Sequence, residues 1–276
     1  VPEGGTHLEE ALKVGYETAL KHFAPEGVNR LVLLTDGAAN LGELRADALK
    51  QMVESNRKRG VALDCFGIGF DGYQDELLEA LSRNGDGRYG FVNSPEEAAT
   101  GFANQLAGAL HVAASDVKVQ VEFNPQRVNA WRQIGYARHQ LTQEQFRDNT
   151  VDAAEIGAAE SGNALYVIEP NARGNGPIGT VRVRFRDPAS GLYSETEWAV
   201  PYEGAAVPLE QASPALRLAT AAAAFGEMLS VSPYASEVTN DRLIALMNGV
   251  PENFTPDPRP ERLLQMVRQA QSILGR

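Results

Sequence analysis

Apolar residues in the first part of the chain follow two patterns that alternate. Apolar residues three and four positions apart, the pattern of a helix with one buried face, occur over residues 6–23, 43–59, 74–82 and 95–111. Short apolar runs between them, the pattern of strands buried on both faces, cover residues 30–35, 61–68 and 88–92. Strands that alternate with helices in this way predict a parallel sheet with helices on its faces.

The apolar spacing changes at Ser115, where every second residue becomes apolar. This pattern, typical of half-exposed antiparallel strands, occurs over residues 117–123, 181–186 and 198–202. Helical spacing returns after Ser213, with helices predicted from residue 214, over 239–247 and over 260–274. We therefore expect an α/β domain over residues 1–113, a β-sandwich-like module over 114–208 and a helical region over 209–276.

The strand segments at residues 181–186 and 198–202 predict a hairpin with a defined register. If their apolar residues share a face, Arg182 lies opposite Glu197 and Arg184 opposite Glu195. Together with Arg186, these arginines form a basic stripe that could bind a polyanion or could be neutralised by the glutamates across the turn. The second interpretation is favoured because the opposite charges are directly cross-strand.

Composition excludes several classes of protein. The 276 residues are 43% hydrophobic and 22% charged, as in a soluble globular protein, and 25 basic against 36 acidic residues give a net charge of −11. Such a charge argues against a general nucleic-acid binder and against docking on an anionic membrane. The longest apolar candidate, residues 216–229, is too short and too interrupted for a transmembrane segment. The chain opens on Val1 without an initiator methionine, so we expect a fragment of a longer protein.

Three features could carry chemistry, and each also has a structural explanation. Residues 67–72 match G-x-G-x-x-G between a strand and a helix, but the acid that would hold a ribose is absent after the next strand, so glycines in a tight turn are favoured over nucleotide binding. The single cysteine, Cys65, lies mid-strand and is expected to be a buried structural thiol. The four histidines have no metal-ligand spacing, and no paired carboxylates indicate acid–base catalysis.

Asp36 is the most informative residue, because it follows a predicted buried strand and precedes a glycine. Ligands of open α/β sheets bind at the carboxyl ends of the strands. Thr6 opens the preceding helix and can occupy the same edge, and a hydroxyl beside a carboxylate suits a hard cation such as Mg²⁺. The structural alternatives are that Thr6 caps its helix and that Asp36 caps its own turn.

Specific motifs resemble a known family. Gly4-Gly5-Thr6 before a helix, the run Leu-Val-Leu-Leu-Thr-Asp-Gly at 31–37 and Phe-Gly-Ile-Gly at 66–69 resemble the second half of a von Willebrand factor A domain. Residues 116–125, 134–136 and 151–158 resemble the C-terminal region of the bacterial YfbK-like proteins. The resemblance implies a partial doubly wound, Rossmann-like von Willebrand A sheet, then the β-sandwich-like module and C-terminal helices. It also implies that the G-x-G-x-x-G-like string is a strand–loop–helix junction.

The family's metal-ion-dependent adhesion site (MIDAS) combines a D-x-S-x-S loop, a threonine and an aspartate. The resemblance makes Thr6 the threonine and Asp36 the aspartate. The D-x-S-x-S loop and the first strand are missing from this sequence, so we expect an incomplete site that binds Mg²⁺ weakly or not at all, and a strand before Asp36 that lacks its neighbour. The histidine that the family usually has near Ala159-Glu160 is also absent.

Three hypotheses about function follow. The leading one is a non-enzymatic protein-binding module, in which a partner protein offers a carboxylate to the metal. The alternative is a structural or assembly protein with a vestigial metal site. The third is an enzyme that uses a nucleotide at residues 67–72. The resemblance implies a periplasmic or cell-envelope setting, which no residue of the chain itself indicates.

Overall fold

A computed structural model describes the chain over residues 7–25, 27–36, 45–69, 74–95, 112–135, 140–151, 153–157, 161–204 and 206–274, and at Gly5, Ala98 and Gly108. The helices are α1 (Leu8–Lys21), α2 (Ala46–Arg57), α3 (Asp75–Asn84), α4 (Pro214–Leu229), α5 (Asn240–Met247) and α6 (Arg259–Leu274). The strands are β1 (Asn29–Thr35), β2 (Val61–Ile68), β3 (Tyr89–Val92), β4 (Val112–Phe123), β5 (Val128–Ile134), β6 (Ala154–Gly157), β7 (Leu165–Pro170), β8 (Gly179–Arg186) and β9 (Tyr193–Val200).

The predicted parallel sheet is present, in the order β1-β2-β3. Leu31 pairs with Leu63 and Leu33 with Cys65, so these side chains share one face of the sheet. Helices α1, α2 and α3 supply the rest of that core, with buried residues that include Leu12, Leu49 and Leu81. The strand-and-helix alternation therefore builds one apolar layer between helices and sheet, as the sequence pattern predicts.

Strand β1 is less buried than its apolar sequence predicts. Most of its residues are only partly buried, and Leu34 is half-exposed, so the expectation of burial on both faces was wrong for this strand. Among the strands that the structure describes, β1 pairs with β2 alone and lies at the sheet edge. An edge strand has cover on one side only, which explains why its outer residues stay accessible.

The later strands form an antiparallel β-rich part, as expected. One sheet has the order β6-β4-β8-β9, and β5 pairs with β7 in a separate antiparallel ribbon. Phe123 of β4 contacts Trp131 of β5 and Tyr166 of β7, with ring centroids 5.2 and 5.3 Å apart. Aromatic contacts at these distances pack the ribbon against the larger sheet.

Strand β4 departs from simple alternation. The sequence pattern turns Lys118 to the polar side, yet its side chain is fully buried while Val119 is exposed. The register of β4 against β6 shifts twice between Val112 and Val117, and Asp116 has a positive φ of 49°. These irregularities reorient the strand locally, so a period of two does not apply across them.

The C-terminal helices pack on one another through a second core. Its buried residues are Ala221, Phe225, Leu243, Leu246, Met247, Val250, Leu264 and Val267. Ser213 caps α4 through Leu216 N–H and Thr239 caps α5 through Arg242 N–H, as the predicted helix starts require. Within the described residues, none of the helices has the length and apolar character needed to cross a membrane.

The chain packs into two compact units. The first consists of residues 1–118, 150–160 and 184–194, and the second of residues 119–149, 161–183 and 195–276. Strands β4, β8 and β9 each contribute residues to both units. The expected domain boundaries after residues 113 and 208 therefore stay predictions.

Candidate functional site

Asp36 lies where the sequence predicts it, at the carboxyl end of the parallel sheet. Strand β1 ends at Thr35, and Asp36 follows directly with an exposed side chain. The register places Thr35 beside Gly67 and Gly67 beside Phe91, so the ends of all three strands meet at this edge. An exposed carboxylate at this edge is accessible to a ligand, which is the position that open α/β sheets use for binding.

The second predicted metal ligand, Thr6, lies outside the described residues. Helix α1 begins at Leu8, and its N-cap is His7, whose Nδ1 accepts a hydrogen bond from Glu10 N–H at 3.2 Å. The pairing of Thr6 with Asp36 therefore stays a prediction. Among the residues that the structure describes, no group of three or more His, Cys, Asp or Glu could hold a metal ion.

The glycine-rich junction after β2 is described only at its start. Strand β2 ends at Ile68, and Gly69 adopts a positive φ of 87°, a conformation that favours glycine. The N–H of Gly69 donates to the carbonyl of Val92 at 3.0 Å. That amide is therefore engaged within the sheet, and residues 70–73, where a phosphate-binding loop would continue, lie outside the described part.

Cys65 is a buried thiol, as the sequence predicts. Burial, with a smaller contribution from the neighbouring Asp64 carboxylate, raises the pKa of Cys65 to about 12. A nucleophilic cysteine needs a thiolate near neutral pH. Cys65 therefore has the environment of a core residue and not that of a nucleophile.

A buried ion pair in the same sheet was missed at the sequence level. Arg30 Nε lies 3.2 Å from Asp64 Oδ2, with side chains only 8% and 2% exposed. The guanidinium also donates twice to the carbonyl of Asp86, while Asp64 Oδ1 accepts the N–H of Arg88 at 2.7 Å. Burial lowers the pKa of Arg30, an effect that the Asp64 carboxylate opposes. An aspartate inside the apolar run of β2 was the sequence signal for such a pair.

This ion pair does not belong to the Asp36 edge. Arg30 stands near the start of β1 and Asp36 just after its end, and six extended residues span about 20 Å. The polar contacts described for the pair join Arg30 of β1 and Asp64 of β2 to each other and to the segment at residues 86–88. We therefore assign the pair to stability and not to ligand binding.

The fully buried Lys118 belongs to a second polar cluster that alternation did not predict. Its Nζ lies 3.2 Å from Asp116 Oδ1, and the hydroxyl of Tyr193 donates to Asp116 Oδ2 at 2.7 Å. The guanidinium of Arg184 lies over the Tyr193 ring, 4.4 Å from its centroid. A buried ammonium is tolerated when a carboxylate compensates its charge, so the cluster has a structural explanation.

Arg182 of the basic stripe is neutralised by nearby acids. Arg182 contacts Glu197 at 3.0 Å, which confirms the predicted cross-strand pair, and also Glu122 at 2.6 Å. Glu195 accepts two hydrogen bonds from Arg147. The polyanion-binding interpretation of the stripe loses support, because Arg182 already serves two carboxylates.

Comparison with known proteins identifies the family. The family described as "Uncharacterized protein YfbK, C-terminal" matches residues 108–273. The chain is 35% identical over 171 residues to "Uncharacterized protein YfbK" of Escherichia coli, covering 62% of this chain and 30% of that protein. It is 26% identical over 198 residues to "Uncharacterized protein sll0103" of Synechocystis, covering 68% of this chain and 46% of that protein.

A solved structure matches the fold of most of the chain. The structure described as "von Willebrand factor type A from Catenulispora acidiphila" is similar over 96% of this chain and 63% of its own, with a TM-score of 0.51 and 20% identity. The chain thus spans less than two thirds of the length of each of these proteins. Sequence and fold lead to one conclusion: the chain belongs to the YfbK C-terminal family and is a YfbK-like protein with a von Willebrand factor A fold.

Proposed function

We propose that this chain is part of a protein-binding module in which Asp36 is one ligand of a divalent cation, and a carboxylate of the partner protein completes the coordination. The observation that carries the proposal is the exposed position of Asp36 at the carboxyl end of the parallel sheet. A carboxylate there, in a von Willebrand A fold, is accessible both to a cation and to a partner's side chain. That the chain is not an enzyme stays a prediction.

The described residues do not by themselves fit a resident Mg²⁺. Mg²⁺ prefers octahedral oxygen coordination and gives up water reluctantly, whereas the described residues contain no group of three or more His, Cys, Asp or Glu that could hold a metal ion. The remaining protein ligands would be Thr6, outside the described residues, and a D-x-S-x-S loop, which this sequence lacks. We therefore expect this chain alone to bind Mg²⁺ poorly.

Titration calorimetry with Mg²⁺ tests the metal step. The chain is compared alone and joined to an upstream segment that carries a D-x-S-x-S loop, and the joined form should bind Mg²⁺ at least about tenfold more tightly. Asp36→Ala should abolish that gain. Asp47→Ala is the matched control, because the Asp47 carboxylate is 92% exposed and lies on helix α2.

Partner capture tests the second step. The joined protein and its Asp36→Ala variant are immobilised in Mg²⁺ and in chelator, and bound proteins are identified by mass spectrometry. Partners should bind only to the unsubstituted protein in Mg²⁺. Equal capture in all four conditions would reject the adhesion mechanism and favour the structural alternative.

A further inference from the structure

We propose that the outer edge of β9 is a second, metal-independent docking site, at which an extended basic segment of a partner protein adds as a further strand. Among the strands that the structure describes, β9 pairs with β8 alone and ends its sheet. It is eight residues long, and all but its first and last residues are exposed. An edge strand of this length presents a row of backbone groups that can accept another strand.

The backbone direction of β9 identifies the residues that face outward. Asp187 N–H donates to the Leu192 carbonyl at 2.9 Å, and Ile178 N–H donates to the Val200 carbonyl at 2.8 Å. Even-numbered residues therefore direct their backbone groups toward β8. In an antiparallel ladder the intervening residues direct theirs to the other side. The N–H and C=O groups of Glu197 and Ala199 consequently face the outer edge.

Charge beside this edge selects the kind of partner. Arg182 lies between Glu122 of β4 and Glu197 of β9, so one guanidinium serves two carboxylates that are 61% and 66% exposed. Arg147 pairs with the neighbouring Glu195 and also interacts electrostatically with Glu197. Two guanidinium groups, Arg147 and Arg182, therefore serve three carboxylates, Glu122, Glu195 and Glu197, and one negative charge remains in this group. A lysine or arginine directly cross-strand from Glu197 would compensate it, and such opposite-charge pairs stabilise strand pairing.

The same charges disfavour a second copy of this chain as the occupant. Antiparallel pairing of two β9 strands through their middle residues would set Glu195 or Glu197 opposite a glutamate of the copy. Like charges directly opposite destabilise a strand pair, and the net charge of −11 adds general repulsion. A partner segment of the opposite charge meets neither penalty.

The other face of β9 supplies an apolar contact. Trp198 is 53% exposed and alternates with Glu197, so its side chain points to the opposite side of the strand. An added strand would place basic residues beside Glu197 and apolar residues beside Trp198. The fitting segment therefore alternates basic and apolar residues.

Fluorescence of Trp198 gives a direct binding assay. The protein has two tryptophans, so the Trp131→Phe variant leaves Trp198 as the only one. A short peptide of alternating lysine and valine is the probe, titrated in chelator so that the Asp36 proposal cannot influence the result. Binding should shift the Trp198 emission to shorter wavelength, and a peptide of alternating glutamate and valine should not bind.

Two variants test the edge itself. Ala199→Pro removes an outward N–H without removing a bond to β8, so it should weaken binding by about tenfold or more, whereas the control Ala199→Val should not. Melting temperatures check that both variants are folded. Glu197→Lys tests the same edge without placing a proline in the strand. This variant should bind the glutamate–valine peptide in preference to the lysine–valine peptide. Unchanged affinity in folded Ala199→Pro, or unchanged peptide preference in Glu197→Lys, would overturn the proposal.

Discussion

Removing one partner of the buried Arg30–Asp64 pair should destabilise the protein more than removing both. Arg30→Met leaves the Asp64 carboxylate, 2% exposed, without its cation, and its main described polar contact is then the N–H of Arg88. Breaking a buried pair in this way costs about 3–5 kcal/mol, because an uncompensated charge remains in the interior.

The double variant Arg30→Met/Asp64→Leu removes both charges. It takes from the Arg88 N–H its Asp64 acceptor, which costs about 1–3 kcal/mol. The double variant should therefore be more stable than Arg30→Met by about 2 kcal/mol. If the two substitutions simply added their costs, the double variant would instead be the less stable of the two.

Cys65 supplies an assay that is local to this sheet. It is the only cysteine, it is buried, and it adjoins Asp64, so its labelling by a thiol reagent in urea reports unfolding of this unit. Arg83→Met is the control, since Arg83 and Glu79 form an exposed pair at 4.0 Å and such pairs contribute about 0–1 kcal/mol. If the double variant is the less stable of the two, the ion pair does not act as described.

Three further outcomes can be measured on the same protein. Val231, exposed with a φ of 51°, occupies the left-handed position of the α4 C-terminal motif in which Ser232 N–H bonds to Glu227 O, so Val231→Gly should stabilise the protein by about 1 kcal/mol, and a lower melting temperature would contradict this. The pKa of Cys65 is raised from 9.0 to about 12, so the folded state holds the proton longer than the unfolded chain; stability from this group is complete below pH 9.0 and should fall as pH rises toward 12, more than in Cys65→Ala. The edge strand β1 should promote self-association at high concentration, which light scattering detects and Leu34→Lys should reduce; a monodisperse monomer before substitution would count against it.

Local sequence patterns predicted the elements that depend on residues nearby in the chain, and those that need only an apolar environment around them. The compact apolar run at residues 61–68 coincides with β2, because any buried strand of a parallel sheet requires such a run. Ser213 and Thr239 mark the starts of α4 and α5, because a hydroxyl cap acts on amides three residues away. Asp36 likewise lies at the predicted strand end.

Features that depend on distant contacts were not predictable. Lys118 is buried because the strand shifts register around Asp116, and because Tyr193, 75 residues later, supplies a hydrogen bond to that carboxylate. Strands β5 and β7 pair across a long connection that contains β6, and the exposed Trp131 weakens the alternation that would have indicated β5. The metal site stays a prediction, because one of its two candidate ligands, Thr6, lies outside the described residues.

The contact between β5 and the C-terminal helices determines where this protein can be shortened. Arg132 forms two hydrogen bonds with the Glu227 carboxylate of α4, and its guanidinium lies 3.8 Å from the centroid of the Tyr234 ring. A shortened protein that stops after residue 208, where sequence alone would divide modules, loses both contacts and leaves the β5–β7 ribbon with less support, although Phe123 still packs against it. Proteolytic mapping should therefore find that a fragment stable enough to persist retains α4 and the turn at Tyr234, so the helices are to be kept in any minimal version intended for crystallisation or display.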